Sequence, residues 1–442
     1  MNYNKIKKIF LNFFKHKKHK ILKSLSIINN NKEYSNLMFV NSGVNKFIDY
    51  FLNIKKSKYL KIANIQKCIR ITGKNNDLKS IGYDNFHHTM FEMLGNWSFG
   101  KYSQKTAILL AWELITKKYK ISKNDIYITI FKGDKKNNLK FDYNSYNICK
   151  KLVNKNNILF FGYKYNFWKI ENFKLCGPCT EFHVDIRNNN DKINKLGKYL
   201  INKKNNNNVI ELWNIVNIKY IIDNNNNIIK NNNPLSNNYI DTGMGLERLC
   251  MILQNKKSTY EIDIFIPIIK KIEKILSIKY KNNKKFDIII KIISDHIRTI
   301  FFILLEGIIP NNKKEGYIVR KLIRRSLIYT YKYININSPF LYKILPILFK
   351  IFKIKKNKNI INILYNEEKN YFLILKKNIY LVYKIINNKI LNFKLNFIDY
   401  KLLLYFYETY GLYYFIIKKI AIKLNINIIK KKLIINNNIE II

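Results

Sequence analysis

The stretch whose reading decides the fold runs from Gln66 to Gly100, QKCIRITGKNNDLKSIGYDNFHHTMFEMLGNWSFG. It opens with strand-like alternation, Ile69 and Ile71 on one face and Cys68, Arg70 and Thr72 on the other. A polar loop holding Gly73, Lys74, Asn75, Asn76, Asp77 and Gly82 follows, and a second apolar run returns from His88 to Leu94. Strand, long polar loop and strand predict a hairpin that offers Arg70 and Lys74 to an anion. A surface hairpin with solvated charges has the same pattern, so composition has to separate the two.

The chain has 442 residues, enough for two or three domains and a sizeable core. Its 80 Lys and Arg face 29 Asp and Glu, a net charge of +51. Only Arg70, Arg187, Arg248, Arg298, Arg320, Arg324 and Arg325 are arginines. Lys, Asn, Ile, Tyr and Phe are inflated while Gly and Pro are scarce, the bias expected of AT-rich coding DNA. In that background a retained Arg, Gly, Trp or adjacent His pair carries information and a Lys carries little. Arginine's planar donor fork suits phosphate and carboxylate, which a lysine point charge does not match. The excess of positive charge predicts salt-dependent attraction to a polyanion, although lysine drift accounts for part of it.

Of five Cys only Cys176 and Cys179 lie close together, so a reducing, cytoplasmic setting is expected and not a disulfide framework. No uncharged apolar run approaches the ~18 residues of a membrane span. Ile6, Ile9, Phe10, Phe13 and Phe14 follow helical spacing with no small-residue cleavage site after them. They predict an amphipathic helix from Lys5 to about Lys23, not a signal peptide.

Further along, the patterns predict a strand over Asn36–Val40 and a turn at Ser42-Gly43 leading into helix through Leu52. Ser103–Tyr119 reads as a helix and Asp125–Phe131 as a strand; residues 134–157 are polar with a helical middle, and Ile158–Gly162 is a short buried run. Asn-rich tracts at 202–208 and 224–233 read as solvated loops flanking a strand, Val209–Ile222. Beyond about 255 the texture changes to Ile/Leu/Lys segments of helical period. The fold class is therefore α+β followed by an all-α region, with domains expected at 1–255 and 256–442.

Four constellations carry chemistry. Cys176-Gly-Pro-Cys179 invites a zinc reading, but a structural zinc needs four ligands and His183 is the other candidate nearby. Gly177-Pro178 describes a tight turn, and a pocket-lining loop is the preferred reading. In Asp241-Thr-Gly-Met-Gly-Leu-Glu-Arg248 the two glycines allow close backbone approach. Its acid suits an ammonium group and its arginine a phosphate or base; a helix start capped by Asp241 fits equally well. Glu211-Leu-Trp213-Asn214 lies on a strand whose regular alternation puts Glu211 and Trp213 on one face and Asn214 on the other, unless the strand is bulged. Arg320, Lys321, Arg324 and Arg325 fall at helical spacing after Gly316-Tyr317, and with Arg so rare a phosphate-contacting face is favoured over a merely solvated one.

These motifs resemble the alanyl-tRNA synthetase family, a class II aminoacyl-tRNA synthetase family, from the first helix to Tyr407-Glu408-Thr409-Tyr410-Gly411. The sharpest matches are KCIRITGKNNDL, HHTMFEMLGNWSFG, NFWKI, CGPCTE, ELWNIV, YIDTGMGLER, SDHIRTIFF and GYIVRKLIRRS. The first class II motif, around Phe39–Leu52, is the weakest and lacks the usual proline. The resemblance implies an antiparallel class II sheet holding ATP with Mg²⁺, then a helical tRNA-recognition domain. It implies ATP contacts for Arg70, Phe91 and Arg248, an ammonium acceptor in Asp241, and an alanine pocket shaped by Trp168, Asn214 and Gly243. Lys74 would meet ATP and the acceptor end, Glu211 would hold Mg²⁺, and Arg320, Arg324 and Arg325 would hold the tRNA backbone. Asn312 and Glu408 match positions that read the acceptor-stem G·U pair.

Thr72-Gly73-Lys74-Asn75 departs from the usual Gly-Gly-Lys-His, and Glu408 replaces the usual Asp. The last His is His296 and the last Cys is Cys250, so the family's editing zinc site is not expected, nor is its C-terminal dimer contact; a monomer without zinc or editing is the reading. Alanine–tRNA ligation acting on tRNA(Ala) is the expected function, with no role for DNA or membrane. The alternative is a catalytically silent tRNA-binding protein on the same fold.

Overall fold

A computed structural model describes residues 1–29, 37–71, 76–169, 174–203, 206, 208–223, 227–230, 239–393 and 397–429. The expected hairpin forms and is longer than its apolar runs suggested. Strand Lys61–Ile69 pairs antiparallel with strand Met90–Phe99, from Lys61 opposite Ser98 to Ile69 opposite Met90. Both strands are covered on both faces along most of their length, so strict in–out alternation is largely lost within them.

From the hairpin the sheet runs in the order Lys20–Ile21, Lys61–Ile69, Met90–Phe99, Tyr239–Gly245, Val209–Asn217, Leu175–Asp185, Ile126–Phe131, Ile158–Phe161. Its inner strands are antiparallel throughout, and the parallel pairs are those at the two edges. Helices flank it, as the α+β expectation required. The N-terminal helix Tyr3–His16 buries Tyr3, Ile6, Phe10, Phe13 and Phe14. Its Phe10 and Phe14 rings lie 6.3 and 6.4 Å from the ring of Trp213 on the sheet. Each such buried ring contributes roughly 1.5–3 kcal/mol of transfer free energy. The helix stops at His16 instead of reaching Lys23, because Lys18 turns left-handed (φ 62°) and Lys20–Ile21 joins the sheet edge. Val44, Phe47, Ile48 and Phe51, from the short helical turns after Ser42, pack on Trp97, Phe99, Val216 and Tyr239.

Several local expectations are corrected. The strand at Asn36–Val40 reduces to a single bridge, Phe39 to Ile28, with Asn36 outside the described residues. Val209–Ile222 breaks into Val209–Asn217 and Tyr220–Ile222, where the Ile218 N–H turns to the carbonyl of Tyr239. Cys176-Gly-Pro-Cys179 is no tight turn but part of the unbroken strand Leu175–Asp185. Gly177 is required there because a Cβ would fall 1.7 Å from the carbonyl oxygen of Asn217.

The chain divides into two compact units, residues 1–270 with 290–307, and residues 271–289 with 308–442. This division does not coincide with the expected boundary at 255. Segment 290–307 belongs with the sheet because Arg298, 1% exposed, pairs with Glu247, and Asp295 accepts the Thr89 N–H at 2.9 Å. The described part of the second unit is helical, with Lys314–Ile334, Leu345–Ile351, Lys358–Phe393, Tyr400–Tyr410 and Tyr414–Lys423. Two-residue strands Phe397–Ile398 and Asn427–Ile428 add a short parallel pair. Among the described residues no helix is long and apolar enough to cross a membrane.

Candidate active site

On the first unit's sheet, facing away from Phe10 and Phe14, lies a cavity of about 1190 Å³. Arg70, Phe91, Trp168, Glu211, Asn214, Asp241, Gly243 and Arg248 all line it. These are the sequence-proposed residues of this unit except Lys74, which lies outside the described residues.

At one end two guanidinium groups lie over aromatic rings. Arg70 directly follows the hairpin strand; its N–H donates to Thr89 at 2.9 Å and its Nε to the Asn41 carbonyl at 3.1 Å. These bonds hold its guanidinium over Phe91, 4.9 Å from the ring centre. Arg248, in the first turn of helix Leu246–Leu253, lies 5.4 Å over Phe86 and donates to the Glu211 carbonyl at 3.0 Å. Stacking of this kind orients the planar fork while leaving donors free for an anion. Asp77 reports on both arginines: burial pushes its carboxyl up, while Arg70, His87 and Arg248 pull against that rise.

At the other end is the strand Tyr239–Gly245, between Met90–Phe99 and Val209–Asn217. Asp241, Gly243 and Gly245 fall on its cavity face by period-two alternation. Asp241 therefore sits mid-strand and caps no helix. It is 6% exposed and accepts the Trp97 indole N–H at 2.7 Å. Burial pushes its carboxyl up to about 7, with the Trp97 bond opposing the rise. Beside it the Met93 sulfur occupies the space over Gly243, where a Cβ would come within 2.9 Å. That sulfur is held by the Gly43 N–H at 3.3 Å. Trp168 reaches the cavity from the strand Phe167–Lys169, paired opposite Gly177.

Glu211 and Asn214 line the cavity together because the strand is bulged. Phe182 pairs with Trp213 and His183 with Glu211, so Leu212 is the extra residue and the faces switch at that point. Trp213, 1% exposed, then points to the opposite side, onto Phe10 and Phe14. Arg248 contacts a Glu211 carboxylate oxygen at 3.3 Å. Burial would raise the Glu211 carboxyl, yet Arg248 and His183 hold it below the ordinary glutamate value.

Glu181 is the site residue the sequence reading missed. It lines the cavity at 7% exposure and accepts from Asn214 Nδ2 at 3.1 Å and Thr129 Oγ1 at 3.2 Å. Burial raises its carboxyl, and the hydrogen bond from His183 pulls it back. Reading CGPCTE for its cysteines hid it; strand alternation through Cys179, Glu181 and His183 is the signal that would have found it. Both cysteines are buried and form no disulfide, and burial pushes the Cys176 thiol up to about 12. His88, the second of the His pair, is scaffold: its ring nitrogens meet Thr259 Oγ1 at 2.8 Å and Asp295 at 3.2 Å, and its ring stacks on Phe265.

Known proteins resemble this chain in sequence. A family model for the class II (A) tRNA synthetases matches residues 5–437. The chain belongs to this family. It is 44% identical to the alanine–tRNA ligase of Cytophaga hutchinsonii over 343 residues, covering 78% of this chain and 38% of that protein. The alanine–tRNA ligase of Flavobacterium psychrophilum is 38% identical over 401 residues, 87% of this chain and 44% of that protein. The chain thus spans about two fifths of the length of the relatives it matches.

In this class II (A) chain the second unit treats its proposed site residues differently. Arg320 is committed to Glu367, Nε to Oε1 at 2.7 Å and Nη2 to Oε2 at 3.1 Å, and its Nη1 donates to the Asn312 side chain. Arg324 is half-buried with its guanidinium 5.8 Å from the centre of the Tyr371 ring. Arg325 is 8% exposed and lies against Tyr329 at 5.5 Å. The three therefore do not form one solvent-facing stripe. Asn312 and Glu408 are both exposed, in the segment before helix Lys314–Ile334 and near the end of helix Tyr400–Tyr410.

Proposed function

We propose that the chain is an alanine–tRNA ligase, activating alanine with ATP to alanyl-adenylate and passing the alanyl group to the 3′ end of tRNA(Ala). The observation that carries this reading is one cavity lined at one end by two ring-stacked arginines and at the other by a buried carboxylate on a glycine-rich strand. The family membership and the names of the relatives support the same reaction.

In the first step an alanine carboxylate oxygen attacks the α-phosphorus of ATP; the new P–O bond forms as the bond to pyrophosphate breaks. Phe91 offers a face to the adenine, Arg70 neutralises the α-phosphate, and Arg248 serves the other side of the nucleotide. Asp241 takes the alanine ammonium, while Trp168, Asn214 and Gly243 bound its methyl group. Catalysis then rests on positioning and charge stabilisation. Mg²⁺ binds hard oxygen donors, and the Glu211 carboxylate fits: it lines the cavity and is held toward its ionised form by Arg248. The ion would neutralise phosphate charge there. Lys74 serves ATP and the acceptor end. In the second unit Asn312 and Glu408 face the acceptor-stem G·U pair, and Arg320, Arg324 and Arg325 support the RNA-binding surface.

The test is alanine-dependent ATP–pyrophosphate exchange by the purified chain, followed by charging of tRNA with and without the acceptor G·U pair. Exchange that requires alanine, and charging that requires G·U, are the expected results. A chain that binds tRNA yet exchanges no pyrophosphate would be the catalytically silent protein instead.

A further inference from the structure

Trp97 is one of the largest fully buried side chains of the first unit, and no role in the reaction above requires it. Its indole occupies a slot that two glycines leave open. A Cβ on Gly95 would fall 2.1 Å from the ring, and one on Gly43 would fall 2.7 Å from it. Phe47 packs on the indole at 4.7 Å. Walled in this way, the ring has one polar atom, and that atom donates to Asp241 Oδ1 at 2.7 Å. Among the described residues no other hydrogen bond to this carboxylate is formed. Gly43 and Gly95, from two separate segments, thus shape the slot from which the Trp97 N–H reaches one carboxylate oxygen of Asp241.

A carboxylate with one oxygen tied and the other open to a cavity is poised to receive a single cationic donor from a fixed direction. We infer that Trp97 is a positioning residue for amino-acid recognition: its N–H pins one oxygen of Asp241 and aims the other at the substrate ammonium. This rests on the alanine-activation reading. It adds that ammonium capture depends on an indole which never touches the substrate. Nucleotide binding, by contrast, is served by Arg70 and Arg248 on other elements and by Phe91 near the opposite end of the Trp97 strand, so the two halves of substrate binding should respond separately.

The experiment is steady-state pyrophosphate exchange by the Trp97→Phe variant, varying alanine and ATP in turn. Losing a hydrogen bond to a charged group should raise the KM for alanine by about tenfold or more, with the KM for ATP unchanged. A smaller disturbance, Gly43→Ala, shifts the ring without removing its N–H and should raise the alanine KM less; it carries the test if Trp97→Phe does not fold. An alanine KM equal to wild type in a folded variant overturns the inference, and so does an equal rise in both KM values, which would mark Trp97 as packing alone. If the wild-type chain shows no alanine-dependent exchange, the function reading fails first, and that outcome is distinct from either of these.

Discussion

The sheet unit and the helical unit use the same scarce residue in opposite ways. In the sheet unit Arg70 and Arg248 are brought from positions 178 residues apart (248 − 70) to one cavity, each stacked on a ring with donors left over. In the helical unit Arg320, Arg324 and Arg325 are neighbours in sequence, yet each ends against a different partner, Glu367, Tyr371 and Tyr329. Closeness in sequence on a helix guarantees closeness in space but not a common outward face, because one residue turns the side chain by about 100°. Separation in sequence does not prevent convergence when antiparallel pairing sets the register.

The most severe break of that contrast is expected at Arg298, an arginine of the sheet unit that takes no part in the cavity. Arg298→Ala should destabilise the first unit by about 3–5 kcal/mol, since it strands the buried Glu247 carboxylate. Chemical denaturation measures it; a near-neutral result would mean that segment 290–307 does not depend on this pair. Next in size, Arg70→Ala should lower alanine-dependent exchange by roughly 10²–10³-fold, the usual cost of losing one charge-stabilising donor. An intact exchange rate would remove Arg70 from the chemistry.

Third comes a pH effect. Asp241 must be ionised to hold an ammonium group, and its carboxyl sits near 7. The value of kcat/KM for alanine should therefore be flat above that pH and fall about tenfold per unit as pH drops below it. A profile level down to the ordinary aspartate range would show that the carboxyl is not the group read. The smallest expected effect belongs to the helical unit. Arg324→Ala should weaken tRNA charging severalfold and leave exchange alone, because exchange uses no tRNA; loss of both would erase the division of labour between the units.

The hairpin and the amphipathic face of Tyr3–His16 were legible in the residues, whereas the strand Tyr239–Gly245 was not, because its glycines read as the entry to a helix. In the two legible cases the signal is local, a period of 2 or 3.6 that the backbone imposes on the side chains. Cys176-Gly-Pro-Cys179 misled, because Gly-Pro is turn-like by propensity while its glycine is needed here for close approach to Asn217. Glu181 was lost with it.

By itself, then, the sequence determined which residues were worth attention and which face most of them share within their own element. Tertiary structure alone decided that Leu212 bulges out and brings Glu211 and Asn214 to one side, that Arg298 and Arg325 are buried, and that Trp97 reaches Asp241. The reason is that register, burial and ion pairing are set by hydrogen bonds and packing between segments far apart in the chain, which no local period encodes.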